Sequence, residues 1–216
     1  MKLLFIFKFI ICCTYSIYNQ TNINSIYFRF PESDKYSKQK FIPKNIHGTY
    51  FKQHDSLVKL KIISDSITTS HTVIFPIPKK NLMANNMSIK NDSVYGIKSS
   101  VGLPFKSIND TLYAFLEQFD QFYKSDSNSF CLEFQNSTLL FETLEDNLFY
   151  VIKLNAVKDT LYVTESDPSL FDEKIKNSLK IIQQKEPYYL LEKESEDWLN
   201  FLKNKGFNDT TLYYKR

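Results

Sequence analysis

Glycine is scarce in this chain, with four among 216 residues. Phosphate-cradling loops and dinucleotide turns need closely spaced glycines. The sequence has no Walker A loop, GxGxxG turn, GxSxG elbow or CxxC pair, and no HExxH or similar metal spacing. Cysteine is scarce as well. Cys12 and Cys13 sit in the extreme N-terminal segment, which leaves Cys131 alone in the remainder. One thiol makes no intrachain disulfide, so the fold relies on its core. An excess of one charge is also missing. Lys and Arg number 27 against 24 Asp and Glu, and Lys2 and Lys8 belong to the N-terminal segment. The rest carries no basic stripe, which excludes the electrostatic footprint of a nucleic-acid binder. A helical membrane span needs about 20 apolar residues. The run from Leu3 to Cys13 is well short of that and is interrupted by Lys8, so no transmembrane span is expected.

Apolar residues, in contrast, are plentiful. Hydrophobic residues make up 43% of the chain and aromatics 16%, enough to build a core and to argue against disorder. The abundance of Lys, Asn, Ile, Phe and Tyr carries little functional information by itself.

Residues 1–16 have the pattern of a secretory signal peptide. Lys2 is followed by an apolar stretch, and Thr14 and Ser16 are small residues placed for a cut after Ser16. The mature chain then begins at Ile17, and the protein is exported: secreted, periplasmic or attached to the envelope. A membrane anchor and a buried N-terminal strand are the competing readings. A third is a lipid anchor at Cys12 or Cys13, although Ile11 and Cys12 precede them where such signals carry a small residue.

One phrase recurs along the chain: Asp, a small polar residue, then an apolar run. It occurs at Asp55, Asp65, Asp92, Asp110, Asp146, Asp159 and Asp209. Asp and Asn open turns, and the Val, Ile, Thr, Tyr and Phe that follow suit a half-buried strand. Its uneven spacing makes it a turn solution and excludes a solenoid or propeller. Residues 17–45 are expected to be loose, with a short strand at Ile26–Phe30. Residues 46–216 form a single β-rich domain. Val58, Leu60 and Ile62 alternate with Lys59 and Lys61 as a one-face-buried strand paired with Ile67–Phe75. Phe130–Phe134, Leu139–Leu144, Leu148–Leu154 and Leu161–Val163 form an antiparallel meander.

Three helices are expected to pack on this sheet. The first covers 110–123, where Leu112, Phe115, Leu116, Phe119 and Tyr123 have helical spacing behind an Asn109 or Asp110 cap. The second carries Phe171, Ile175, Leu179 and Ile182 as one stripe. The third starts near Ser195 with Glu196 and Asp197 and ends at Gly206, burying Trp198, Leu199, Phe201 and Leu202. The expected fold class is therefore α+β: an antiparallel sheet or partly open barrel with about three packed helices.

Candidate chemistry is thin. His47, His54 and His71 do not have the spacing of the three or four converging ligands that zinc requires. Cys131 in SFCLEF reads as a small core residue. Glu133, Glu142 and Glu145 lie in the meander, and two carboxylates across a cleft would serve a glycosidase. The acidic run Glu192, Glu194, Glu196 and Asp197 is partly explained by the start of a helix. Asn-x-Ser/Thr triplets at Asn19, Asn86, Asn91, Asn109, Asn136 and Asn208 read as Asn-rich turns or as glycosylation acceptors. No catalytic residue, cofactor site or metal site is assigned.

The stretch around Gly48-Thr49-Tyr50 resembles the opening of lipocalin-like exported β-proteins, which start with a Gly-x-aromatic strand and continue as an up-and-down meander. Tyr50 stands where that family usually has Trp. The resemblance covers one hairpin and implies a small apolar ligand in a barrel mouth; no binding residue carries over. The leading functional expectation is an exported, non-enzymatic protein with a binding or envelope-associated role. The alternatives are a secreted hydrolase using the meander carboxylates, and an inhibitor or immunity-type protein that docks another protein on a sheet edge.

Overall fold

Five of the Asp-led phrases, at Asp55, Asp65, Asp92, Asp110 and Asp159, stand at hairpin connections. The computed structural model describes residues 25–30, 38–97, 101–126, 128–134, 136–145, 147–182, 188–192 and 195–215. Residues 1–16, expected as a signal peptide and including Cys12 and Cys13, lie outside these, as do Ile17, Asn19, Asp146 and Glu194. Strand β2 (Gly48–Lys52) turns into β3 (Asp55–Ile62) through His54 at φ 62°, with Lys52 opposite Asp55. Strand β3 turns into β4 (Ser66–Pro78) at Asp65, with Ile62 opposite Ile67. A short helix α1 (Asn81–Ala84) follows. Strands β5 (Ser88–Lys90) and β6 (Ser93–Tyr95) are joined by Asn91 and Asp92 at φ 49° and 54°. Strand β7 (Leu103–Ile108) meets β8 (Thr111–Lys124) through Asn109 at φ 51°. Left-handed central residues give a hairpin turn the twist its strands need, and Asn and Asp tolerate that conformation best among residues with a side chain.

Strands β9 (Phe130–Phe134), β10 (Ser137–Glu145), β11 (Leu148–Val157) and β12 (Thr160–Glu165) form the expected antiparallel meander. Strand β15 (Asp209–Lys215) then links β12 to β2. The ladder thus runs β9-β10-β11-β12-β15-β2-β3-β4-β8 and curls around one core, but among the described residues no ladder joins β8 to β9. Strand β1 (Ile26–Phe28) pairs with β11 and, in parallel, with β14 (Tyr188–Leu191), whose other edge holds β13 (Lys180–Ile182). Ile26–Phe28 is therefore an integral strand of the sheet.

This architecture corrects the α+β expectation. Strands account for 59% of the structure and helical turns for 14%, in a large mixed sheet that is not closed. The segment 110–123, expected as a helix, is instead β8. It pairs with β4 over 13 positions, and this partner outweighs an ambiguous local period. The 171–182 stripe is helical only in α2 (Glu173–Asn177), where the Asp172 carboxylate accepts the Ile175 N–H at 2.9 Å. Lys180–Ile182 leaves the helix to pair with β14. The expected C-terminal helix is present as α3 (Ser195–Lys203). It buries Trp198 and Phe201, but Leu199 is 37% exposed and so does not belong to the buried face.

Three cores result. The inside of the curl is filled by Tyr50, Leu60, Ile62, Ile67, Tyr123, Leu140, Ile152, Leu154 and Leu161. The opposite face of β9–β11, with β1, α2 and α3, encloses an aromatic core of Phe28, Phe130, Phe141, Phe149, Phe171, Trp198, Phe201 and Phe207. Strands β9–β11 are therefore buried on both faces, which explains why FCLEF and LFYVIKL read as near-continuous apolar runs. A third core of Ile77, Val94, Leu103, Leu112 and Ala114 closes the far end of the β4–β8 hairpin.

Candidate functional site

A strap of chain, residues 38–46, runs from β9 to the β3–β4 turn. Gln39 and Cys131 exchange backbone hydrogen bonds, each at 2.8 Å, and the Ile42 N–H donates to the Ser64 carbonyl at 2.7 Å. Buried Ile42 and Ile46 anchor the strap in the curl. His47 holds it from the other side, with Nε2 2.9 Å from the Ile42 carbonyl. The Cys131 Sγ–H donates to the Phe41 carbonyl at 3.0 Å. Burial pushes this thiol from 9.0 up to about 11, with a further contribution from Glu133. At neutral pH it is protonated, so Cys131 is a packing residue that ties the strap to β9.

Beside the strap, the β8–β9 loop is folded by Asp126. Its carboxylate accepts the N–H groups of Asn128 (2.8 Å) and Ser129 (2.7 Å). These backbone bonds, Ser129 first, hold its carboxyl below the usual range. Thr143 at the end of β10 locks this loop in place: its hydroxyl donates to the Asn128 carbonyl at 2.7 Å, and its N–H donates to Ser129 Oγ at 3.2 Å. Between strap, loop and the β10–β11 hairpin lies a cleft of about 450 Å³ lined by Lys38, Gln39, Lys40, Asn128, Thr143 and Asn147, with Phe130 and Phe149 behind. The Lys38 ammonium stands 4.7 Å from the Phe30 ring centroid and 4.5 Å from that of Phe130, capping the aromatic core by cation–π attraction.

The inner end of the curl gathers acids and phenols. The Tyr150 hydroxyl donates to Glu165 at 2.5 Å. Burial raises the Tyr150 phenol well above its ordinary value, helped by Glu165, Glu142 and Asp209. Burial also raises the Glu142 carboxyl, with a smaller push from Asp126. The Tyr123 hydroxyl is buried in the same region and has no well-formed partner among the described residues.

The sequence candidates do not converge. Glu133 is exposed on β9, Glu142 faces into the curl, and Glu145 ends β10 at a register shift. His54 lies in the β2–β3 turn and His71 is exposed on β4, so the histidines occupy separate places. Glu192 bridges Arg29 and Lys180 across the β1–β14–β13 edge. Asn86, Asn91 and Asn109 take left-handed turn conformations. Asn208 clamps Asp167, donating to its carbonyl at 3.0 Å and accepting its N–H at 2.8 Å. Lys38, Asp126 and Glu165 were not legible as site residues: the meeting of strap, loop and sheet is a long-range event. Among the described residues no group of three or more His, Cys, Asp or Glu is placed to hold a metal, and no helix is long and apolar enough to cross a membrane. Comparison of the chain with family models, curated proteins and solved structures gives no match.

Proposed function

We propose that the protein is an exported, non-enzymatic binding protein that takes a small anionic ligand, bearing a carboxylate or phosphate group, in the Lys38 cleft. The observation carrying this reading is the pair of ammonium groups there. Neither Lys38 nor Lys40 has an acidic partner among the described residues. Asp126, the carboxylate among the lining residues, has its Oδ1 engaged by two N–H donors. Gln39, Asn128 and Asn147 add amide groups and Thr143 a hydroxyl, the donor set that orients a small oxyanion. The inside of the curl is filled by its own side chains, which favours a rim site for this ligand over a barrel-mouth site.

Calorimetric titration of the mature chain with inorganic phosphate and with citrate tests the site. Binding of at least one anion is expected, weakened about tenfold or more by Lys40→Glu and lost in Lys38→Glu/Lys40→Glu. The exposed Lys40 variant guards against a mere folding defect. No heat with either anion, or unchanged affinity in Lys40→Glu, refutes the reading.

Export rests on residues 1–16. Lys2, the short apolar run and Thr14 and Ser16 form a cleavable leader, and the first described strand begins only at Ile26. Mass spectrometry of the native protein should find an N-terminus at or within a few residues of Ile17. An intact Met1 on a cytoplasmic product overturns this, and a lipid on Cys12 or Cys13 replaces it with an anchored form.

A further inference from the structure

The geometry points to a second binding site, a groove on the outer face of β2, β3, β4 and β8 shaped for a neutral sugar ring. Register places its residues together. Lys59, Ser70 and Phe119 lie in one cross-strand row, and Thr49, Lys61 and Thr68 in the next. With Glu117 they line a groove of about 360 Å³ that shares no residue with the Lys38 cleft.

Phe119 is 66% exposed. Its ring offers the groove an apolar face, and partly buried Phe51 heads the same row opposite Lys59. Beside it the polar groups are already fixed. Ser70, only 5% exposed, donates its hydroxyl to Glu117 Oε1 at 2.9 Å, and the Lys59 ammonium donates to the same oxygen at 2.9 Å. Both bonds hold the Glu117 carboxyl below its usual range, Lys59 first. Among the described residues no donor reaches Glu117 Oε2, which is placed to accept a hydrogen bond.

The polar groups then select the ligand class. Lys59 pairs with Glu117, Lys61 disfavours a cation, the second Glu117 oxygen calls for a donor that a fully ionised anion lacks, and the hydroxyls of Thr49 and Thr68 disfavour a purely apolar body. A sugar has an apolar C–H face for the Phe119 ring and hydroxyls around its edge for Glu117, Lys61 and the threonines.

Saturation-transfer NMR with glucose, galactose, mannose, N-acetylglucosamine and their trisaccharides tests the site on the full mature chain. At least one sugar should receive transfer, undiminished by excess phosphate or citrate. Phe119→Ala should abolish the signal and Glu117→Gln should weaken affinity about tenfold. Both side chains are exposed, so both variants should keep the parent melting temperature. No transfer to any of these sugars overturns the proposal. So does an affinity unchanged in both variants, and displacement by citrate reassigns the sugar to the Lys38 cleft.

Discussion

Trp198→Ala is expected to lower the free energy of unfolding by about 3–5 kcal/mol. The indole is 3% exposed and packs on Phe28 at a centroid distance of 5.3 Å and on Phe141 at 5.7 Å. Its Nε1–H donates to the Arg29 carbonyl at 3.1 Å. Truncation therefore opens a cavity walled by aromatic rings and also leaves a partly buried carbonyl without its donor. The walls collapse poorly because Phe28 sits between Phe201 and Phe207, with centroids at 5.5 and 5.9 Å. Urea unfolding followed by circular dichroism measures the loss. A change below about 1 kcal/mol contradicts the packing account. Truncation after Gln184 is the coarser version: it removes α3, β14 and β15, and a truncated chain that keeps its melting temperature would falsify the placement of these elements in the domain.

Gly206→Ala is the second large effect, and its cause is not the one the sequence implied. A glycine just past a helix usually takes the left-handed cap position. Here Lys205 takes it, at φ 61°, and the Gly206 N–H donates to the Phe201 carbonyl at 2.8 Å. Gly206 lacks a side chain because the Phe201 ring lies against it. A Cβ there would sit 2.4 Å from Phe201 Cζ. Phe201 has no exposed surface and is ringed by Phe28, Phe171 and Phe207, so the ring has nowhere to go. Overpacking of this kind costs about 1–3 kcal/mol, a fall of several degrees in melting temperature. A variant that melts with the parent protein shows that the ring can shift and that the aromatic core is looser than its contacts imply.

The local chemistry of turns was legible from sequence. Asp55, Asp65, Asp92, Asp110 and Asp159 each stand at a hairpin connection, because a short side chain that bonds its own backbone has the same preference in any fold. The alternation around Val58, Leu60 and Ile62 was equally clear, since only one face of β3 is buried. The segment 110–123 was not. Leu112 and Ala114 are buried in one core, Tyr123 in another, and Phe119 between them in neither. A strand that serves two cores has no single period, and its apolar residues fell by accident at helical spacing. The candidate site was hardly legible, since a cleft lysine and a turn aspartate look like any surface residues until the strap is laid along β9.

By itself the sequence determined where the backbone reverses, which short runs extend, and that a core large enough to stand without disulfides is present. Each follows from residues adjacent in the chain, whose conformational preferences need no distant partner. Tertiary structure alone decided that β8 is a strand, that β9–β11 are buried on both faces, that the curl stays open, and that Lys38, Asp126 and Thr143 meet at one rim. Those outcomes depend on pairings between segments far apart in the chain, such as β4 with β8 and Gln39 with Cys131. The hydrogen bonds and burial gained across such pairings exceed the few tenths of a kcal/mol per residue that separate local propensities.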